Sequence, residues 1–341
     1  MGKTSLKMNR ETFRAFYVEE VSEGEFSSSI KSIPLSFLPE HEVLIQVHYS
    51  SLNYKDGLSA SGNKGVTRNY PHVPGVDASG VVLEDSSGTF EEGQKVIVTG
   101  QDLGSNTPGG YGALIRVPND WAVELPEGLD LVTAMTFGTA GFTAMYGIKR
   151  LQRELISPQD GKILVTGATG GVGSLAVFFL SELGYEVIAA TGKMDEQDFL
   201  KDLGAAEVIH RDKVTNVKDS FLLSREWNGA IETVGGKMLD AVIRQTNHDG
   251  AVACCGNILG HNVETSIYPF ILRGVSLLGI DSAICKMPMR LKIWEAIAKQ
   301  NWDKLPQDYA KVVGLEDLQN EIDSILKGGQ TGRVVVKHDT G

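Results

Sequence analysis

The stretch VTGATGGVGSLAV, residues 165–177, constrains this chain more than any other. It joins a β-rich run, KILVTG (162–167), to a helical one. In the latter, Val172, Leu175, Ala176, Phe179, Leu180 and Leu183 recur with a 3.6-residue period. Gly170 and Gly173 keep the spacing of the second and third glycines of a dinucleotide-binding fingerprint, and Ala168 stands at the first. A glycine at 170 lets the backbone approach a pyrophosphate. One at 173 lets helix and strand pack closely, and the helix N-terminus then faces the phosphates. A bare glycine pattern is weak, and a merely tight turn would also explain it. The flanking strand, the flanking helix and their repetition downstream favour a cofactor loop.

That repetition is plain. Strand-like runs fall at 162–167, 186–190, 207–210, 230–234, 251–255 and 276–280, with helical patterns between them. Alternation of this kind implies a parallel sheet covered on both faces, and six strands make a complete doubly wound dinucleotide fold. The first third differs. FRAFYVEE (13–20), EVLIQVHYS (42–50), GVVLED (80–85), QKVIVTG (94–100) and YGALIRVP (111–118) are short and β-rich, punctuated by Gly, Pro or Asn. They predict a small barrel-like β domain. Toward the end, the pattern predicts a helix over 289–300 and a helical stretch near 315–327. GGQTGRVVVKH then gives a glycine turn and a last strand able to pair back into the first domain. The expected division is 1–135 with 288–341 for the β domain, and 136–287 for the dinucleotide domain.

The formal net charge of −11 argues against nucleic acid or an anionic membrane as the main partner, since both need a basic face. Three cysteines, Cys254, Cys255 and Cys285, have no framework spacing and suit a reducing, cytoplasmic setting. No run approaches the roughly 20 apolar residues of a membrane span. Met1–Arg10 has no apolar stretch of signal-peptide length and reads as a frayed or appended tail.

The second strand of the alternating region speaks to the cofactor. An NAD site places Asp or Glu about 20 residues beyond the glycines, on the ribose 2′-OH. Here the strand ends in Thr191, Gly192 and Lys193, and Arg211 follows the third strand. Two cations and no acid would attract a 2′-phosphate, which predicts NADPH. The bland alternative is that both cations are solvated surface residues.

Several long motifs then match one family in order: SSLNYKDGLSASG (50–62), PHVPGVDASG (71–80), GTAGFTAM (138–145), the glycine loop, and PFILRGVSLLGIDS (269–282). The chain resembles the medium-chain dehydrogenase/reductase superfamily, and within it the acrylyl-CoA reductase and quinone oxidoreductase branch. The resemblance implies an α/β chain: a GroES-like β-barrel catalytic domain plus a Rossmann domain with a doubly wound, parallel, six-stranded sheet. It also implies a homodimer paired through the last Rossmann strand, here within SLLGIDSAIC (276–285). The expected cofactor contacts are Thr169, Gly170, Gly171, Val172, Gly173, Thr191, Gly192, Lys193, Arg211, Asn257 and Ile280.

Zinc members of the superfamily hold their catalytic metal with a Cys and a His where this chain has Asn53 and Val76. None of its Cys or His residues has metal-ligand spacing, so no metal is expected. That leaves Asp77, a lone acid in an apolar run, in need of a partner. Arg333 is the candidate, brought back by the last strand. The set Tyr54, Asp56, Asp77 and Arg333 is read as the catalytic network near the nicotinamide, or, more blandly, as an ion pair and scaffold that fix the cleft. Tyr54 is the leading proton or hydrogen-bond donor, unless it is simply packed in a loop.

With no Lewis acid to polarise an alcohol, hydride must go to a carbon that is already electrophilic. A short enoyl thioester, acrylyl-CoA-like, is the first reading, with Lys55, Lys64 and Arg68 as a possible phosphate-binding rim. A quinone or enone acceptor is the second. A crystallin-like structural or RNA-binding role is the third. The acidic charge weakens RNA binding, and the cofactor loop weakens a purely structural role.

Overall fold

The computed structural model describes residues 11–339. The reading of Met1–Arg10 as a tail lies outside the described residues. The elements in chain order begin with β1 (Thr12–Ser22), β2 (Glu25–Pro34), β3 (Val43–Ser51), α1 (Tyr54–Ala60), β4 (Asp77–Asp85), β5 (Lys95–Thr99), β6 (Leu114–Val117) and β7 (Ala122–Glu124). The middle holds α2 (Leu131–Arg153), β8 (Ile163–Thr166), α3 (Gly171–Glu182), β9 (Val187–Thr191), α4 (Gln197–Asp202), β10 (Glu207–His210), α5 (Asp212–Thr215), β11 (Trp227–Glu232), α6 (Gly236–Gln245) and β12 (Thr246–Cys254). Then come α7 (Tyr268–Arg273), β13 (Ser276–Gly279), α8 (Met287–Ala298), β14 (Ala310–Val313), α9 (Leu318–Leu326) and β15 (Arg333–Lys337).

β8 to β13 form one parallel sheet in the order β10-β9-β8-β11-β12-β13. This is a doubly wound arrangement whose order reverses beside β8, so its binding crevice opens at the ends of β8 and β11. The strands read as continuous apolar runs because both faces are covered: Ile163, Leu164 and Val165 of β8 are all inaccessible. α3 is apolar nearly all round for the same reason, with Leu175, Ala176, Val177, Phe179 and Leu180 buried.

The second large sheet has seven strands, ordered β14-β15-β3-β4-β5-β7, with β6 pairing β3. β15 pairs antiparallel with β3, so the last strand does return to the first domain. β2, β7 and β14 are strands that the sequence reading did not include. β2 is Ser-rich (EFSSSIKSIP), mostly half-buried and without clean alternation, so its hairpin with β1 leaves no period-2 signal.

α2 is 23 residues long and, among the described residues, the one helix long and apolar enough to cross a membrane. Its apolar window is 72% buried inside the fold, where it packs against α3 and α8. The expectation that no run approaches a membrane span therefore fails on length and composition alone; burial identifies α2 as a core helix. Its continuity breaks at Gly138, whose φ of 50° and ψ of −152° belong to glycine.

Candidate active site

The glycine loop sits where the sheet order reverses. Gly167 turns the chain with φ of 56°. The tight turn thus falls one residue before Ala168, which explains why alanine is tolerated there. A side chain on Gly173 would meet the Gly167 carbonyl at 2.3 Å, so this glycine is needed for strand and helix to pack. At Gly170 the nearest atom to such a side chain is the Gly167 carbonyl at 3.3 Å, which leaves the outer side of the loop open. Gly170 caps α3, so the N–H groups of Gly171, Val172 and Gly173 have no intrahelical acceptor. Open backbone, free N–H groups and a helix N-terminus fit a pyrophosphate.

The end of β9 holds the expected cations. Thr169 and Thr191 hydroxyls lie 3.2 Å apart, tying loop to strand. The Arg211 side chain lies over Gly192, 3.2–3.3 Å from where a Cβ would stand. It is exposed and makes no side-chain hydrogen bond among the described residues. Lys193 is engaged: its Nζ donates to the Gln330 carbonyl at 2.9 Å and to Thr331 Oγ1 at 3.4 Å. Asn257 and Ile280 follow β12 and β13, and the Ile280 N–H donates to the Cys254 carbonyl at 3.0 Å. The predicted cofactor residues thus gather along the strand ends of one sheet.

The four residues read as a catalytic network separate into different roles. Asp77 is fully buried and accepts from Ser51 Oγ, from Asn53 Nδ2 at 2.8 Å, and from Thr139 through its N–H at 3.0 Å and Oγ1 at 2.6 Å. These donors satisfy a buried carboxylate without a cation. The expected Asp77–Arg333 ion pair is therefore not made. Arg333, itself 2% exposed, donates to the carbonyls of Thr136 and Leu52 and, at 3.3 Å, to Asn53 Oδ1. The side chain of Asn53 joins the two: it donates to Asp77 and accepts from Arg333.

Asp56 is also fully buried. It accepts from the Asn53 N–H at 2.9 Å, Asn53 Nδ2 at 3.2 Å and the Val76 N–H at 2.8 Å, closing the start of α1. Burial, and then the Asp77 carboxylate, push its pKa up to about 7, against those three donors. Asp56 and Asp77 are both sealed beneath the surface, with oxygens that accept from the start of α1, from the Val76 N–H and from Thr139. Of the four residues only Tyr54, 44% exposed at the start of α1, reaches solvent.

Arg333 also touches the other domain. Its Nη1 lies 2.9 Å from where a side chain on Gly171 would begin, at the first turn of α3. Its Nη2 is buried beside Gly138 with no hydrogen-bond partner. Arg290 is a second buried bridge: it donates to Thr99 of β5 at 2.7 Å and to Ser282 and Ala283 after β13. Sequence reading missed the roles of Ser51, Asn53, Gly138, Thr139 and Arg290. The available signal was Gly138, a glycine inside an apolar helical run. Lys64, one of the three suggested phosphate-binding cations, is already paired with Glu20 at 2.7 Å and stacked on Phe26 and Tyr70.

Two family models match the chain: the alcohol dehydrogenase GroES-like domain over 39–127 and the zinc-binding dehydrogenase model over 171–291. Acrylyl-CoA reductase AcuI of Ruegeria pomeroyi is 42% identical over 95% of this chain and 98% of its own length. YhfP of Bacillus subtilis, provisionally named a quinone oxidoreductase, is 42% identical over 95% of this chain and 98% of its own. Its solved structure with NAD bound superposes with a TM-score of 0.92, covering 96% of this chain and 99% of that one. The structure of Escherichia coli K-12 YhdH with bound NADPH gives 0.90 at 40% identity, covering 95% and 100%. The chain belongs to the medium-chain dehydrogenase/reductase superfamily, in the branch that contains AcuI and YhfP. Zinc does not fit its residues. Asn53 is committed to Asp56, Asp77 and Arg333. Among the described residues no group of three His, Cys, Asp or Glu is placed to hold a metal ion.

Proposed function

We propose that this chain is an NADPH-dependent reductase that saturates the activated C=C bond of a short enoyl thioester, acrylyl-CoA-like. The observation that carries the cofactor choice is the end of β9, where Thr191 closes the strand in place of an acid and Arg211 lies free over Gly192. The substrate class is supported by the likeness to AcuI over nearly the whole chain. The quinone reading stays second, favoured by an equal identity to YhfP.

Bound NADPH supplies a hydride for the β-carbon of the acceptor. The free N–H groups of Gly171, Val172 and Gly173 hold the pyrophosphate, and Arg211 with Lys193 holds the 2′-phosphate. Arg333 fixes the distance between this loop and the segment that carries Tyr54. As negative charge develops on the thioester carbonyl oxygen, hydrogen-bond donors facing it lower the barrier. The Tyr54 hydroxyl is the exposed donor of the set and delivers, directly or through water, the proton that the α-carbon takes up. Asp56, Asp77 and Asn53 hold the start of α1 rigid beneath it.

We also infer a homodimer. β13 is an edge strand, and Leu277, Ile271, Leu272 and Ile284 beside it are exposed. Three free cysteines suit a reducing, cytoplasmic setting. We infer the division into 1–135 with 288–341 and 136–287 as well; it is supported by the strands of the two large sheets falling on either side of it.

The test is NADPH oxidation with acrylyl-CoA, crotonyl-CoA and a simple quinone, with and without chelator. Acrylyl-CoA is expected to turn over fastest, unaffected by chelator. Turnover of the quinone alone would replace the thioester reading.

A further inference from the structure

A groove of about 510 Å³ runs between the C-terminal half of α2 and the outer face of α8. It stands apart from the glycine loop and from the Asn53 junction. Lys149, Arg153, Lys292 and Lys299 line it, with Gln152 between them and Glu295 as the carboxylate on its wall. On a chain of net charge −11, four cations against one acid is a local reversal.

None of the four makes an ion pair among the described residues. Lys149 Nζ has only the Gln152 amide oxygen, at 3.1 Å, and Arg153 Nη2 has only the Met289 sulfur, at 3.6 Å. Unpaired lysines occur elsewhere among the described residues too; what distinguishes these four cations is that they line one concavity with a single carboxylate among them. Four like charges around one concavity repel one another, and the cost falls when an anion enters. The volume lies in the range of small-molecule sites.

We propose that this groove binds a phosphorylated small molecule carrying several negative charges. Its phosphates would lie among the four cations, with the Gln152 amide as a neutral donor. The same chemistry has two sources: a free polyphosphate or nucleotide, and the phosphoadenosine end of a CoA thioester. Only the second source rests on the proposed function.

The experiment uses the chain saturated with NADPH, so that the cofactor loop is filled. Binding of tripolyphosphate, adenosine 3′,5′-bisphosphate and CoA is measured by calorimetry on the wild type and on Lys292→Gln, Lys299→Gln and Glu295→Gln. All three sites are exposed, so the fold is not at stake. The expected result is saturable binding that weakens about tenfold for each lysine removed and strengthens for Glu295→Gln. It should also weaken between low and high salt. Loss of CoA binding along with tripolyphosphate identifies the thioester as the source; CoA binding that survives the lysine substitutions assigns the groove to a free polyphosphate. The proposal is overturned if no probe binds saturably, if the lysine substitutions leave every affinity unchanged, or if Glu295→Gln weakens binding. A failed acrylyl-CoA assay with intact tripolyphosphate binding would reject the substrate reading and leave the groove.

Discussion

Arg211 and Lys193 are both cationic and both close the β9 end, yet the structure ranks them. Arg211 lies over Gly192 with its guanidinium free, so contact with a 2′-phosphate costs it no existing bond. Lys193 Nζ already donates to the Gln330 carbonyl and Thr331 Oγ1, and turning to the phosphate gives up both. A hydrogen bond to a charged group contributes about 1.5–3 kcal/mol, and exposure places Arg211 near the lower end. Arg211→Ala should therefore weaken NADPH binding about tenfold. Lys193→Ala should weaken it less, about threefold, because the bonds it forms replace bonds it loses. Neither should change NADH binding by more than about twofold, since NADH lacks the 2′-phosphate. The assay is a titration of each variant with both cofactors, followed by nicotinamide fluorescence. The difference between cofactors should shrink as salt rises. Equal weakening of NADH and NADPH, or a larger loss at Lys193 than at Arg211, would refute this reading of the site.

Three further outcomes test the junction. Tyr54→Phe should lower kcat on an enoyl thioester by about 100-fold while the NADPH Kd stays within about twofold; an unchanged kcat would assign the proton to water. Gly138→Ala puts a Cβ 2.6 Å from Asp77 Oδ2 and Ser51 Oγ, at a φ that only glycine takes easily, and should cost about 3 kcal/mol or more in urea unfolding. Asp56 titrates near 3.8 when unfolded and near 7 when folded, so the folded state holds its proton longer. Stability should then fall as pH rises between those values and level off above about 7. Buried Glu232, also shifted upward, adds a slope of the same sign. Asp56→Asn should remove its own share, read as a shallower fall in unfolding free energy from about pH 4.5 to 7.5. A slope as steep as that of the wild type would mean that Asp56 is ionised throughout.

What the sequence made legible follows from period. The six parallel strands and α3 announce themselves because buried strands are apolar runs and amphipathic helices repeat every 3.6 residues. β2 carries neither signal, since a half-buried Ser-rich ribbon alternates weakly. The glycine loop was legible as mechanics, and only the turn moved, from position 168 to Gly167. The Asp77 partner was not legible. Two opposite charges invite an ion pair, but burial asks only that each polar atom find partners. Ser51 and Asn53, from the stretch that joins β3 to α1, and Thr139 of α2 supply them. Asn53 stands three residues before Asp56, a spacing that marks a helix cap, but nothing in the chain marks it as the side chain that faces acid and guanidinium at once.

The position of Arg333 then explains why the chain returns to its first domain at all. The Arg333 N–H donates to the Tyr309 carbonyl at 3.1 Å, linking β15 to β14. The Tyr309 hydroxyl lies 2.8 Å from Ser174 Oγ in α3, while Arg333 Nη1 stands against Gly171. One strand pair of the β domain thus meets the first turn of the cofactor helix at two points, three residues apart. The same guanidinium reaches Leu52 and Asn53, next to Tyr54. A shift of either domain must break one of these contacts or pay to leave a buried donor bare. The geometry between the cofactor loop and the exposed phenol is therefore set by buried hydrogen bonds in the last strand, and the acids beneath Tyr54 serve to hold the far end of that link.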